Sequence, residues 1–259
     1  MPTNLVRRLF ASQLNRLALA LGTRIERNRD SIARATRPSF ATDAPGLVIQ
    51  SPFTVRHPER IHLGRDVKIG PNSILKLMTS YPGNWSRNPD GEHVEQSFDP
   101  HLYIGDRVTV RVALQITVYD RVTIEDDVLF ASNVYISDGA HAVTRGDRPY
   151  KYQGIEKVAP VHVGRGSWIG QNVVILPGVS IGAFSVVGAN SVVTSDVPSG
   201  SVVVGAPARA VRRWDPQSES WLRLGREEAA SGDASGDASG DGSDDRAVKR
   251  FTVRDASAT

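Results

Sequence analysis

Residues 163–197 read VGRGSWIGQNVVILPGVSIGAFSVVGANSVVTSDV. Within them a branched apolar residue returns at every sixth position: Val163, Ile169, Ile175, Ile181, Val187 and Val193. About a quarter of the chain is Ile, Val or Leu, so six hits at a preset phase arise by chance about once in several thousand trials. The residue after each hit is Gly164, Gly170, Leu176, Gly182, Gly188 and Thr194, and the fourth residue on is Ser167, Val173, Val179, Ser185, Ser191 and Val197. A period of six fits neither an α-helix nor a lone strand. It fits a short strand and a tight corner, three of which close a triangular coil that stacks on the next as a parallel β-helix. The large apolar residue and its small or β-branched companion then point inward. Glycine accepts corner dihedrals and the close approach of neighbouring backbones.

The same rhythm runs earlier, through Leu63, Ile69 and Leu75, then Ile104, Val110 and Ile116, and after a two-residue slip Val118, Ile124, Phe130 and Ile136. Two stretches interrupt it, residues 79–102 and 142–160, both rich in Gly, Pro, Asn, Asp and charge, as loops thrown off a regular prism should be. After the last coil, GSVVVGAPARAVRRW from Gly200 and a segment expected to be helical around Trp221 would cap the open end. Residues 229–245, AASGDASGDASGDGSDD, hold no large apolar side chain and read as disordered. This divides the chain into an N-terminal helical segment (1–40), a β-helix domain (41–214) and a C-terminal extension (215–259).

Near the N-terminus Leu5, Leu9, Leu17 and Leu21, with Phe10, Leu14 and Ile25, recur at helical spacing among Arg7, Arg8, Arg16, Arg24 and Arg27. Packing on this domain or on a neighbouring subunit is one use for such a helix; lying on an anionic membrane face is another. No apolar run reaches the ~18 residues of a membrane span, and no compact apolar core precedes a cleavage site. The expected location is cytoplasmic, and at the inner face of the membrane only where the helix takes the second of these uses. The 31 Lys and Arg against 28 Asp and Glu leave a net charge of +3, too even for a nucleic-acid binder. The absence of cysteine excludes disulfides, thiolate metal sites and a cysteine nucleophile.

Of the six histidines, His57, His62, His93, His101, His141 and His162, only His141 sits where a repeat block breaks into a long loop. The segment YISDGAH is followed by RPY at Arg148 and QGI at Gln153. Further on come SWIGQNVVILPGVSIG at Ser167, VVGANSVVTSDVP at Val186 and VVGAPARAVR at Val203. With these motifs the chain from Val122 to Trp214 resembles the hexapeptide-repeat O-acetyltransferases, particularly those that modify bacterial surface polysaccharides and the maltose and galactoside enzymes. The resemblance implies an all-β, left-handed parallel β-helix that transfers an acetyl group from acetyl-CoA to a sugar hydroxyl. It assigns His141 as the base that removes the proton of the acceptor hydroxyl. Imidazole, with an ordinary pKa of ~6.5, suits that task near neutral pH. Its other ring nitrogen needs an orienting acceptor, for which Asp138 or a main-chain carbonyl is the local candidate; Asp138 serves equally well to brace the bend.

The resemblance also implies that Trp168 flanks the active-site cleft and that Ala189, Thr194 and Ser195 fall at coenzyme-contacting turns. Arg209 and Arg212 fall where phosphate charge is neutralised. Ser195 stands where a Lys is common, Gly139 where many polysaccharide-modifying relatives have a second His, and Arg111 where the galactoside-type enzymes use an Asn. The relatives assemble as trimers with the cleft between prisms, so a homotrimer is expected, with a coenzyme A thioester and a carbohydrate acceptor as partners and no metal. Tyr81, Trp85, His93 and Phe98 in the first excursion suit either sugar stacking or anchoring of the loop. Two other uses of the scaffold are a zinc enzyme of the γ-carbonic anhydrase type, for which His57 and His62 are candidates, and a non-catalytic assembly surface.

Overall fold

The computed structural model describes residues 3–28, 31, 35, 37–82, 87, 88, 91 and 94–225. Its body is a left-handed parallel β-helix with three faces. The first face, five-stranded, opens each turn: Ile61–Leu63, His101–Ile104, Arg121–Ile124, Val161–Val163 and Ser180–Ile181. The second, nine-stranded, includes Lys68–Ile69, Thr109–Val112, Leu129–Ser132, Trp168–Ile169 and Val186–Val187, and ends with Ser201–Gly205, Ala208–Asp215 and Ser220–Arg223. The third, six-stranded, includes Ser73–Leu77, Gln115–Val118, Tyr135–Ser137, Val174–Ile175 and Val192–Val193. Val163 pairs with Ile181, Ile169 with Val187 and Ile175 with Val193. Each turn therefore lays its sixth-position residues directly over those of the turn before.

The six hits from Val163 to Val193 are at most 1% exposed, and their companions from Ser167 to Val197 at most 5%. The earlier hits from Leu63 to Ile136 join the same core cluster. Burial of one such side chain contributes roughly 1.5–3 kcal/mol, so the stacked rows hold the prism together. Ile116 and Val118 share one strand of the third face, and the two-residue slip is a longer corner before Arg121.

Corner geometry divides the work differently from the sequence expectation. A left-handed residue stands three positions after eleven of the sixteen hits, at Asp66, Asn72, Arg107, Ala113, Asp127, Asn133, Gly166, Asn172, Gly178, Phe184 and Asn190, with φ between 56° and 82°. Asn and Asp tolerate that region best among residues with a side chain. The glycine directly after a hit serves close approach instead: a Cβ on Gly164 would lie 2.5 Å from the Ala183 nitrogen, and one on Gly182 would press as hard on the Ser199 nitrogen. Leu176 and Thr194, the departures from glycine, lie on the edge between the third and first faces.

Both excursions leave from that same edge. The first departs after the strand ending at Leu77 and returns at His101; the second departs after Ser137 and returns at Val161. Each forms a short antiparallel ribbon, Ser80–Tyr81 against Gln96–Ser97 and Ala140–His141 against Ile155–Glu156. The segment around Trp221 is a strand rather than a helix. Ser220–Arg223 pairs antiparallel with Ala208–Asp215, with Trp214 opposite Trp221 and their rings 5.5 Å apart. The Asp215 carboxylate accepts the Gln217 and Ser218 N–H groups and closes the turn. Cross-strand pairing, not helical spacing, decides the element, and the sheet continues through the 214/215 boundary.

The N-terminal helix α1, Thr3–Arg27, carries Leu14, Leu17, Leu19, Leu21 and Ile25, each more than half exposed. Among the described residues no helix is long and apolar enough to cross a membrane. The Ser/Gly/Asp stretch 229–245, Trp85 and His93 lie outside the described residues.

Candidate active site

His141 lies on the outgoing limb of the second excursion, one strand beyond the last coil position. Its backbone pairs with Ile155, and the Ala142 N–H donates to the Gly154 carbonyl at 3.1 Å. The loop between these limbs is closed by one side chain. Gln153 accepts the Thr144 hydroxyl and the Arg145 N–H, both at 2.9 Å, and donates to the Arg145 and Arg148 carbonyls, both at 2.8 Å. Gly154 follows at φ 93°, and Ile155 is buried. The QGI motif thus closes the loop, turns the chain and anchors it.

The first excursion grips the second. The Gln96 side-chain amide behaves as a third strand, donating to the Ile155 carbonyl at 2.9 Å and accepting its N–H at 2.7 Å. The Tyr81 hydroxyl donates to the Lys151 carbonyl. The Tyr81 ring meets the imidazole of His141 edge to face, 5.9 Å between centroids. The imidazole is exposed, and among the described residues it makes no hydrogen bond.

Asp138 is fully buried. Its two carboxylate oxygens accept the Tyr119 and Asp120 N–H groups at 2.7 and 2.8 Å, and its carbonyl accepts the Ala159 N–H at 2.8 Å. Of the two roles the sequence left open for it, these bonds describe the bracing of the bend. Burial raises its pKa against the opposing pull of the Asp120, Tyr119 and Arg121 N–H groups. Burial, with Tyr135 and Asp138 close by, pushes the Tyr119 phenol up to about 12. The Tyr119 ring, held edge-on by Phe98 at 5.1 Å, lies against Gly139, where a Cβ would come within 2.6 Å of it. A second histidine cannot stand at position 139 without displacing that ring.

Thr194 and Ser195 are exposed on the same edge as the excursions, at a corner braced by Asp196, whose carboxylate accepts the Ser180 N–H at 2.8 Å. Val193 pairs with Ile175 and Ile175 with Ile136, so two strand spacings, about 10 Å, separate their turn from that of His141. The remaining residues lie elsewhere on the prism. Ala189 is exposed beside the left-handed Asn190 at the edge between the second and third faces, the edge that also carries Arg111. Trp168, 50% exposed, stands on the second face between Leu129 and Val186. Arg209 turns back to donate to the Ala208 carbonyl at 2.8 Å, and Arg212 lies opposite Arg223 on the terminal strands of that face. One chain thus brings His141, Thr194 and Ser195 to one edge and leaves the other four apart from them.

Gln96 and Tyr119 were missed in the sequence. Gln96 acts across 59 positions, and no periodic pattern marks a single polar residue in an irregular loop. Among the described residues no three His, Cys, Asp or Glu side chains converge as metal ligands. His62 is stacked on Tyr103 at 4.6 Å.

Residues 160–195 match the bacterial transferase hexapeptide (six repeats) family model. Galactoside O-acetyltransferase of Escherichia coli strain K12 is 33% identical over 169 residues, covering 64% of this chain and 76% of that protein. WbbJ of the same strain, named as an O-acetyl transferase of lipopolysaccharide biosynthesis, is 33% identical over 126 residues, covering 46% of this chain and 64% of that protein. The chain therefore spans just under two thirds of WbbJ. Among solved structures, a point mutant of AntD, an N-acyltransferase from Bacillus cereus in complex with dTDP and coenzyme A, shares the fold with a TM-score of 0.55 at 16% identity. That likeness covers 72% of this chain and 90% of the other.

Proposed function

The chain belongs to the hexapeptide-repeat acetyltransferases, and from that membership we propose that it moves an acetyl group from acetyl-CoA to a sugar hydroxyl of a surface polysaccharide or its precursor. The observation that carries the reading is His141: an exposed imidazole fixed on a ribbon, on the edge that also presents Thr194 and Ser195 two turns away. The names of the two sequence relatives, both O-acetyl transferases, support oxygen rather than nitrogen as the accepting atom.

In this reading His141 takes the proton of the acceptor hydroxyl as its oxygen bonds to the thioester carbonyl carbon. The tetrahedral intermediate collapses with cleavage of the carbon–sulfur bond, and the proton passes from the imidazolium to the departing thiolate. Transfer is direct, since the chain has no cysteine to hold the acyl group. Asp138 acts as a positioning residue by bracing the bend from which His141 departs. Thr194, Ser195, Ala189, Trp168, Arg209 and Arg212 hold the coenzyme. Their separation on one prism supports a homotrimer in which the face of one subunit meets the His141 edge of the next. The helix α1, with arginines among exposed leucines, offers a surface either for a neighbouring subunit or for an anionic membrane face.

The test follows thiol release from acetyl-CoA with a panel of sugars, nucleotide sugars and oligosaccharides. Acceptor-dependent release that falls about 10²–10⁴-fold in His141→Ala is the expected result. Release that is unchanged in the variant overturns the assignment of the base. Absence of both release and coenzyme binding overturns the acetyltransferase reading.

A further inference from the structure

Arg212 and Arg223 occupy directly opposed positions on the last antiparallel pair of the second face. Like charges so placed repel across the strands. The chain neutralises comparable guanidiniums elsewhere: Arg65 meets Asp106 at 2.9 Å, Arg107 meets Asp127 at 2.7 Å and Arg145 meets Asp147 at 2.6 Å. Arg213, next along the strand, lies near enough to Asp215 to help lower that carboxyl's pKa, after the stronger effects of Ser218 and Gln217. Among the described residues Arg212 and Arg223 have no ion pair and no side-chain hydrogen bond. With Val211 and Leu224 they line an open cavity of about 320 Å³.

We propose that Arg212 and Arg223 together form a clamp for a phosphate monoester, and that its ligand is the 3′-phosphate of coenzyme A. Arg223, outside the motifs that mark the coenzyme side, is the new binding residue. The inference rests on the coenzyme reading above. A phosphate monoester carries a charge of about −1.5 to −2 near neutral pH with three acceptor oxygens, and planar guanidinium forks grip it by paired hydrogen bonds. An anion between the two arginines turns the cross-strand repulsion into attraction on both sides. The position fits the long axis of the ligand. Along the second face, five strand spacings lead from Leu129–Ser132, in the turn of His141, to Ser220–Arg223, about 24 Å at ~4.8 Å each. The thioester and the 3′-phosphate stand at opposite ends of coenzyme A, so the end remote from sulfur reaches the pair.

Calorimetric titration of the full chain and of Arg223→Gln with coenzyme A, dephospho-coenzyme A, adenosine 3′,5′-bisphosphate and inorganic phosphate tests this. The wild type is expected to prefer coenzyme A over dephospho-coenzyme A by about tenfold or more, the scale of one charge-assisted contact. Arg223→Gln should lose that preference with dephospho-coenzyme A affinity unchanged. If the variant keeps the full preference, the clamp is overturned and the coenzyme reading stands. If inorganic phosphate alone binds, through Arg223, and coenzyme A does not, the coenzyme reading and this ligand both fail and an anion site of another kind remains. No binding of any of the four overturns both.

Discussion

Gly139 is buried under an aromatic ring only two residues from His141, and its missing side chain fixes what the loop can become. An alanine there places a carbon 2.6 Å from a Tyr119 ring atom. That ring cannot swing freely because Phe98 sits edge-on against it. Gly139→Ala is therefore expected to lower stability by about 1–3 kcal/mol, the usual cost of overpacking. Tyr119→Leu in the same chain should recover part of the loss, which chemical denaturation of the four chains of a double-mutant cycle would measure. Equal stability of wild type and Gly139→Ala would show that the ring moves aside. At this scale the sequence singles out a candidate where chemistry and motif coincide, as at His141. It is silent about Tyr119, whose role depends on a stacking partner 21 positions earlier.

At the scale of elements, the two excursions behave as one unit through Gln96. Gln96→Ala leaves the N–H and carbonyl of buried Ile155 without their partners in a partly buried segment, a loss of about 1–3 kcal/mol. Hydrogen exchange in residues 153–157 should accelerate by about tenfold or more while the coil strands keep their protection. Unchanged exchange would mean that the ribbon stands without the amide. The coils were legible because each inward position repeats the same demand at a fixed interval, from Leu63 to Val193. The C-terminal pair was not: a strand of four residues owes its form to Trp214 and the Asp215 turn across from it, and read alone Ser220–Arg223 carries no period. The glycines directly after a hit were expected to serve both corner dihedrals and close approach, and of the two uses only close approach falls to them. Close approach between turns needs the missing Cβ at Gly164, while Asn172 and Asn190 tolerate the dihedral.

For the whole molecule, the placement of the residues is the argument for assembly. His141 stands on one edge, while Trp168, Ala189 and the arginine strands face elsewhere, so under the proposed coenzyme assignment a single prism would not close a cleft around a thioester. Light scattering coupled to gel filtration is expected to give three times the chain mass. A monomer that still turns over acetyl-CoA would show that one prism suffices and would remove the shared-cleft arrangement. The fold class was visible in composition and period, but the grouping of site residues was not, because neighbours on an edge are separated by whole turns of sequence. That spacing has its own consequence. Since Val163 returns over Ile181 and Ile175 over Val193, the prism is graduated like a ruler. The reach between the His141 edge and the terminal arginines changes only by whole increments of strand spacing. A lineage could lengthen or shorten the measured span by one turn without re-aiming a single side chain, and the size of the ligand that fits would change in steps.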